Sequence, residues 1–379
     1  MGDNELILMP NGDESDFYEQ VSDLLASARR FAKRQLDRAI VSTYYEVGRM
    51  IVEREQKGQK RAQYGAKLIK GLSVYLTERY GKGFSIVNLK GIRKFYLVYA
   101  SSIGQTLSAL SEKNVSQTGI FDENAQKEQT LSAKFNLGWS HYQILMRIDN
   151  DDARHFYEIE ATNQQWSVRQ LQRQVGSSLY ERLALSRDKD KVMALASKGQ
   201  VIETPRDIFK TPYVLEFTGL EERSEYSETE LEQALIDNLQ KFLLELGKGF
   251  LFEARQKRFT FDEDHFIVDL VFYNRLLQCY VLIDLKTGKL KHQDLGQMQM
   301  YVNYFDRYVK TDAEKPTVGI LLCKEKNDNI VELTLPEDTN IYASAYNLYL
   351  PDKALLQRKL AEWVEAFEEE HGVTANETA

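Results

Sequence analysis

The run FIVDLVFYNRLLQCYVLIDLK, residues 266–286, decides how the second half of this chain folds. Two apolar stretches, Phe266–Tyr273 and Gln278–Leu285, flank NRLLQ, and this spacing predicts two β-strands joined by a short hairpin loop. Each strand carries an acid where a buried strand should have none: Asp269 in the first, Asp284 in the second. A buried carboxylate without a partner costs several kcal/mol, so each must be paired, protonated or metal-bound. A loop at Arg275–Gln278 sets Asp269 opposite Asp284. The two-residue period of a strand puts Lys286 on the same face as Asp284. Two carboxylates and one ammonium then meet at one end of the ribbon.

That grouping suits metal-assisted phosphodiester hydrolysis. Carboxylate oxygens hold Mg²⁺ or Mn²⁺ while leaving positions open for water and phosphate. A lysine beside them can orient the attacking water, help deprotonate it, or neutralise developing charge. A lone D-x-K is more often an ion pair bracing a sheet. Here the upstream acid and the order of elements around it favour the metal site. Working outward, Glu228–Gly247 reads as a strong helix ending at glycine, and it offers Glu232 first and Glu230 second as a further carboxylate. Lys257–Phe261 and Thr317–Cys323 read as strands and Gln293–Tyr308 as a helix, giving the order αβββαβ. A terminal helix is expected over Asp352–Glu370.

The N-terminal half is helical. Apolar residues recur at helical spacing from Phe17 to Ile51, glycines 58 and 65 break the pattern, and a second helix follows near Lys67–Tyr80. YGKGF (80–84) makes a turn, and Ser85 can cap a third helix. Short helices with a tight glycine turn suit a helix-turn-helix-like unit. Residues 101–133 are rich in Ser, Thr, Gln and Asn and read as a mobile insertion. Trp139 and Trp166 read as core anchors, and His141 as a structural histidine.

The charge distribution matters more than its sum. The chain of 379 residues has a net charge of −8. Between Arg29 and Lys94, however, seventeen Lys or Arg stand against five acids, among five tyrosines. Such a block can neutralise phosphates and stack on bases. The candidate contacts are Arg29, Arg30, Lys33, Arg34, Lys90, Arg93 and Lys94, with Arg255, Lys257 and Lys289 nearer the carboxylates. Cys279 and Cys323 are too few for a disulfide framework or a thiolate zinc site. No apolar run reaches a membrane span, and the acidic N-terminus lacks the features of a secretory signal, so a soluble cytoplasmic protein is expected.

Several segments together resemble the PDDEXK nuclease superfamily and, within it, the YhcG-like nucleases of bacteria. They are YVLEFTGL, LEQALIDNLQKFLLELGKGFLFEARQKR, VDLVFYNRLLQCYVLIDLKTGKL, GQMQMYVNYFD and PTVGILLCKEK in the C-terminal half. YYEVGRMI, YGKGFSIVNLKGIRKFY, WSHYQILMRI and WSVRQLQRQV resemble that family's N-terminal partner domain. The resemblance implies metal ligands at Asp269 and Asp284, a supporting acid at Glu232 and a catalytic lysine at Lys286. Gln297 and Tyr301 match a Q-x-x-x-Y signature, with Gln297 on water or phosphate and Tyr301 on the nucleic-acid strand. One departure stands out: the subfamily commonly has glutamate where this chain has Asp284, one methylene shorter.

The expectation is therefore an α+β protein of two domains. Residues 15–184 form a helical nucleic-acid-binding part, 185–204 a linker, and 205–370 a restriction-endonuclease-like domain. The expected activity is Mg²⁺- or Mn²⁺-dependent cleavage, of DNA before RNA and internally rather than from ends, with a homodimer as one route to duplex cleavage. The alternative is a nuclease-like DNA-binding or scaffolding protein that does not cut.

Overall fold

The structure, a computed structural model, describes residues 12–57, 62–114, 134–185, 189–221, 226–261, 263–336 and 339–360. The chain forms two compact units, Met1–Asp149 with Ala161–Val168, and Asn150–Glu160 with Arg169–Ala379.

The first unit is helical. Its elements are α1 (Gly12–Lys57), α2 (Ala62–Tyr80), α3 (Ile86–Asn114) and α4 (Trp139–Leu145). The helices are longer than the spacing of glycines predicts. Gly65 lies inside α2, and α3 carries on to Asn114, through the first part of the expected insertion; residues 115–133 lie outside the described residues. Gly81 and Gly83 do make the expected turn, with φ of 82° and 126° that a side chain would oppose. Ser85 then accepts from the Asn88 amide at 3.2 Å and starts α3. The two long helices cross closely because Gly48 has no side chain: a Cβ there would stand 2.5 Å from the Ile92 carbonyl oxygen. Around that crossing, Phe95 packs against Tyr45, Phe135, Trp139 and Tyr142. His141 spends Nε2 on the Trp166 carbonyl at 2.9 Å.

The second unit holds a six-stranded mixed sheet with helices on both faces, so the protein is α+β. The strands are β1 (Tyr213–Val214), β2 (Phe250–Phe261), β3 (Asp264–Asn274), β4 (Cys279–Lys289), β5 (Val318–Glu325) and β6 (Ile341–Asn347), in the order β1-β6-β5-β4-β3-β2. β2, β3 and β4 pair antiparallel; β4, β5, β6 and β1 pair parallel. The expected glutamate helix is broken at Asn238 into Glu228–Asp237 and Leu239–Leu246, because Asn238 turns its amide back onto the Ala234 carbonyl at 3.1 Å. Leu231, Leu235 and Phe242 from these helices cover one face of the sheet, against Leu270, Phe272 and Ile283. The helix His292–Tyr308 covers the other face with Leu295, Met298, Tyr301 and Phe305. Gly319 lets that helix lie close to β5: a Cβ there would be 2.7 Å from Met298.

Charged groups are also buried in this unit. Glu245 accepts from Arg182, from Arg173 at 3.2 Å and from the Val214 amide at 3.0 Å, and the Lys210 ammonium donates to its carbonyl. The expected linker at 185–204 contains a helix, Lys189–Lys198, with Leu195 buried. Lysines at both ends of that helix gave it the look of a solvated connector in the sequence. No helix among the described residues is long and apolar enough to cross a membrane.

Candidate active site

The hairpin positions the acids. Asn274 pairs with Cys279 and Leu270 with Ile283, so the connecting loop is Arg275–Gln278 and the next register position sets Asp269 beside Asp284. The ladder between β3 and β4 ends at Leu270, and the Asp269 carboxylate accepts instead from the Leu285 amide at 2.8 Å. β2 is irregular here too. Its register shifts between Phe252 and Ala254, and Gln256 has φ of 48°, a left-handed conformation that non-glycine residues rarely adopt. Bulged strands re-aim side chains. Here Gln256 donates its amide to Glu232 and, at 3.3 Å, to Asp269.

Glu232 reaches the same place from the helix Glu228–Asp237. The helix starts with a reciprocal cap: Ser227 accepts from the Glu230 amide, and the Glu230 carboxylate accepts from the Ser227 amide at 2.7 Å and hydroxyl at 2.9 Å. Glu230, the second choice from sequence, is spent on that cap. Glu232 is buried, with Arg255 Nε 3.0 Å from its Oε1. Burial pushes the Glu232 carboxyl up, while Gln256 and Arg255 pull it down and Asp269 raises it again.

Asp284 is 3% exposed, and Lys286 Nζ stands 2.6 Å from its Oδ2 and 3.8 Å from Glu228. Burial first, then the charge of Asp269, pushes Asp284 up to about 7, against the pull of Lys286. Burial works against the Lys286 ammonium, but Asp284, Glu228 and Asp269 outweigh it and hold its pKa above the ordinary lysine value. Lys286 therefore holds its proton and stays an ammonium in this setting.

The Q-x-x-x-Y pair is only partly as expected. Gln297 donates to the Tyr301 hydroxyl, but the Tyr301 ring is 1% exposed and lies edge-on to Phe259 at 5.7 Å. The ring lies inside the core, while its hydroxyl feels the charges of Asp284, Lys286 and Asp269. Several expected phosphate contacts are also engaged. Arg93 pairs with Glu55 at 2.6 Å, Arg255 with Glu232, and Lys257 with Glu253 at 3.4 Å. Arg29, Arg30, Lys33, Arg34, Lys90, Lys94 and Lys289 are exposed. Gln256 and Glu228 escaped the sequence reading. The cue for Gln256 was the polar run EARQKR, which breaks strand alternation.

Among the described residues, no three His, Cys, Asp or Glu side chains come together as a ready metal cage. Mg²⁺ does not require one: it uses one or two carboxylates with waters and substrate oxygens. Asp284 Oδ2 and Glu232 Oε1 are buried without a hydrogen bond of adequate geometry, despite the cations beside them. Hard oxygen donors left in that state fit a divalent cation.

Residues 206–361 match the YhcG PDDEXK nuclease domain, and residues 20–182 match the DUF1016 N-terminal domain. The Escherichia coli (strain K12) protein named "Putative nuclease YhcG" is 42% identical over 361 residues, 93% of this chain and 96% of that protein. The chain belongs to the YhcG family of PDDEXK nucleases. Two solved structures are also similar in part. The crystal structure of a repair endonuclease from Pyrococcus abyssi is 21% identical, covering 35% of this chain and 50% of that one at a TM-score of 0.24. EndoMS in apo form is 16% identical, covering 34% and 49% at 0.22.

Proposed function

We propose that this YhcG-family protein hydrolyses phosphodiester bonds in DNA, cutting internally, at a centre made by Asp269, Asp284 and Lys286 with Glu232 in support. The observation that carries this reading is the meeting of a buried, incompletely satisfied Asp284 with Lys286 Nζ at 2.6 Å, beside Asp269. Asp269 and Asp284 would hold Mg²⁺ or Mn²⁺, which would stabilise negative charge on the phosphoryl oxygens and make a bound water more acidic. Lys286 offers its ammonium to the phosphate or the attacking water. The Leu285 amide fixes the orientation of Asp269, and Gln297 that of the Tyr301 hydroxyl. The exposed cations of α1 and α3 engage backbone phosphates.

The test is cleavage of plasmid, linear, single-stranded and branched DNA, and of RNA, with Mg²⁺ and with EDTA. The wild type cuts DNA only with the metal, and Lys286→Ala binds without cutting. Binding without cutting by the wild type itself contradicts the proposal and leaves a nucleic-acid-binding scaffold.

A further inference from the structure

Glu228 stands beside the carboxylates with its backbone pinned on both sides. Just before it, the Tyr226 hydroxyl lies 3.0 Å from the Tyr346 hydroxyl of β6. Just after it, the reciprocal cap between Ser227 and Glu230 fixes the first turn of the helix Glu228–Asp237. Glu228 opens that turn, where the helix dipole favours a negative charge. Its side chain is 47% exposed, against 16% for Lys286, and its Oε2 lies 3.8 Å from Lys286 Nζ. An isolated surface pair at such a distance contributes little. This pair is not isolated, because Lys286 has other acids to answer.

The ammonium is shared unevenly among three carboxylates. Asp284 holds it at 2.6 Å, Glu228 stands at 3.8 Å, and Asp269 acts on it through its charge. Asp284 and Asp269 are the two acids that would hold the divalent ion. An ion on their oxygens withdraws them from the lysine and repels the ammonium as well, and such repulsion is poorly screened in a buried setting. Of the three carboxylates, Glu228 alone is then left to answer Lys286. We infer, resting on the metal centre proposed for this site, that Glu228 is a positioning residue that takes over the Lys286 ammonium once the ion occupies Asp284. The exchange carries the lysine from a buried carboxylate to an exposed one, the side from which a phosphate can enter. Glu228 touches neither ion nor substrate in this role; it acts through Lys286.

Two measurements on the full chain without nucleic acid test this, on the wild type, Glu228→Gln and Glu228→Asp. One is the rate at which acetic anhydride labels Lys286, read by mass spectrometry; the other is Mn²⁺ binding by electron paramagnetic resonance. In EDTA, Lys286 is labelled at rates within about twofold in the wild type and Glu228→Gln, because Asp284 holds it in both. In saturating Mg²⁺, Glu228→Gln is labelled about fivefold faster or more, and Glu228→Asp, which keeps the charge, falls between. Mn²⁺ affinity stays within about threefold in all three proteins. On DNA, Glu228→Gln lowers kcat about tenfold and leaves KM within about twofold. Labelling in Mg²⁺ that ignores Glu228→Gln, in a wild type that binds Mn²⁺, overturns this role and leaves the metal centre standing. Mn²⁺ binding weakened about tenfold by Glu228→Gln also overturns it, because Glu228 is then a ligand. A wild type that binds no Mn²⁺ removes the metal centre and this role with it.

Discussion

Replacing Glu245 with glutamine should destabilise the sheet-bearing unit by about 3 kcal/mol. The carboxylate is fully buried and answers Arg182, Lys210 and Arg173 at once. Burial alone would raise its pKa, yet those three cations bring it from the ordinary 4.5 down to about 2. That drop corresponds to about 3 kcal/mol of preference for the charged form in the folded state. It agrees with the ~3–5 kcal/mol typical of removing one partner from a buried pair. Glutamine keeps the shape and one acceptor but leaves Arg182, itself fully buried, without its counter-charge. The depressed pKa also sets a pH window: Glu245 contributes its full stability above about pH 4.5 and loses it as pH falls toward 2. Urea unfolding followed by circular dichroism, at neutral pH and down through that window, measures both effects. A loss below about 0.5 kcal/mol, in the range of ordinary surface changes, would refute the reasoning.

Other consequences follow, the first from the same network. Burial brings Lys210 down to about 7 against the pull of Glu245. Between that value and 10.5 the unfolded chain binds a proton that the folded chain does not, so this lysine's contribution to stability rises with pH there, and Lys210→Met should flatten the rise in urea titrations. Gly319→Val should cost about 1–3 kcal/mol, because the new side chain meets Met298; an unchanged melting temperature would contradict the close packing. Gln256→Gly relieves a left-handed residue but removes the amide between Glu232 and Asp269. It should leave the melting temperature unchanged or higher and weaken Mn²⁺ binding severalfold, whereas unaltered binding would show that the amide has no part in placing those acids.

The hairpin was legible because two features agree: the apolar runs FIVDLVFY and YVLIDLK, each interrupted by one acid, and the short connection NRLLQ between them. The order αβββαβ followed from the same patterning. The basic block was equally visible, but which cations are free was not. Arg93 and Arg255 look alike in sequence, and only three-dimensional neighbours show that both are held by glutamates. The break at Asn238 depends on a single side-chain hydrogen bond, and the length of α3 on propensity in a polar stretch; neither alters the apolar period. The Tyr301 ring could not be placed from a spacing that serves a site-facing and a core-facing residue equally well. Gln256 was hidden because a left-handed residue inside a strand follows from tertiary packing rather than from its own preference.

The most direct measurement is Mn²⁺ binding to the full chain without nucleic acid, by electron paramagnetic resonance, on the wild type, Asp284→Asn and Asp269→Asn. The account predicts a saturable site in the wild type that either substitution weakens by at least tenfold. Equal Mn²⁺ binding in all three proteins, or none in the wild type, would contradict it.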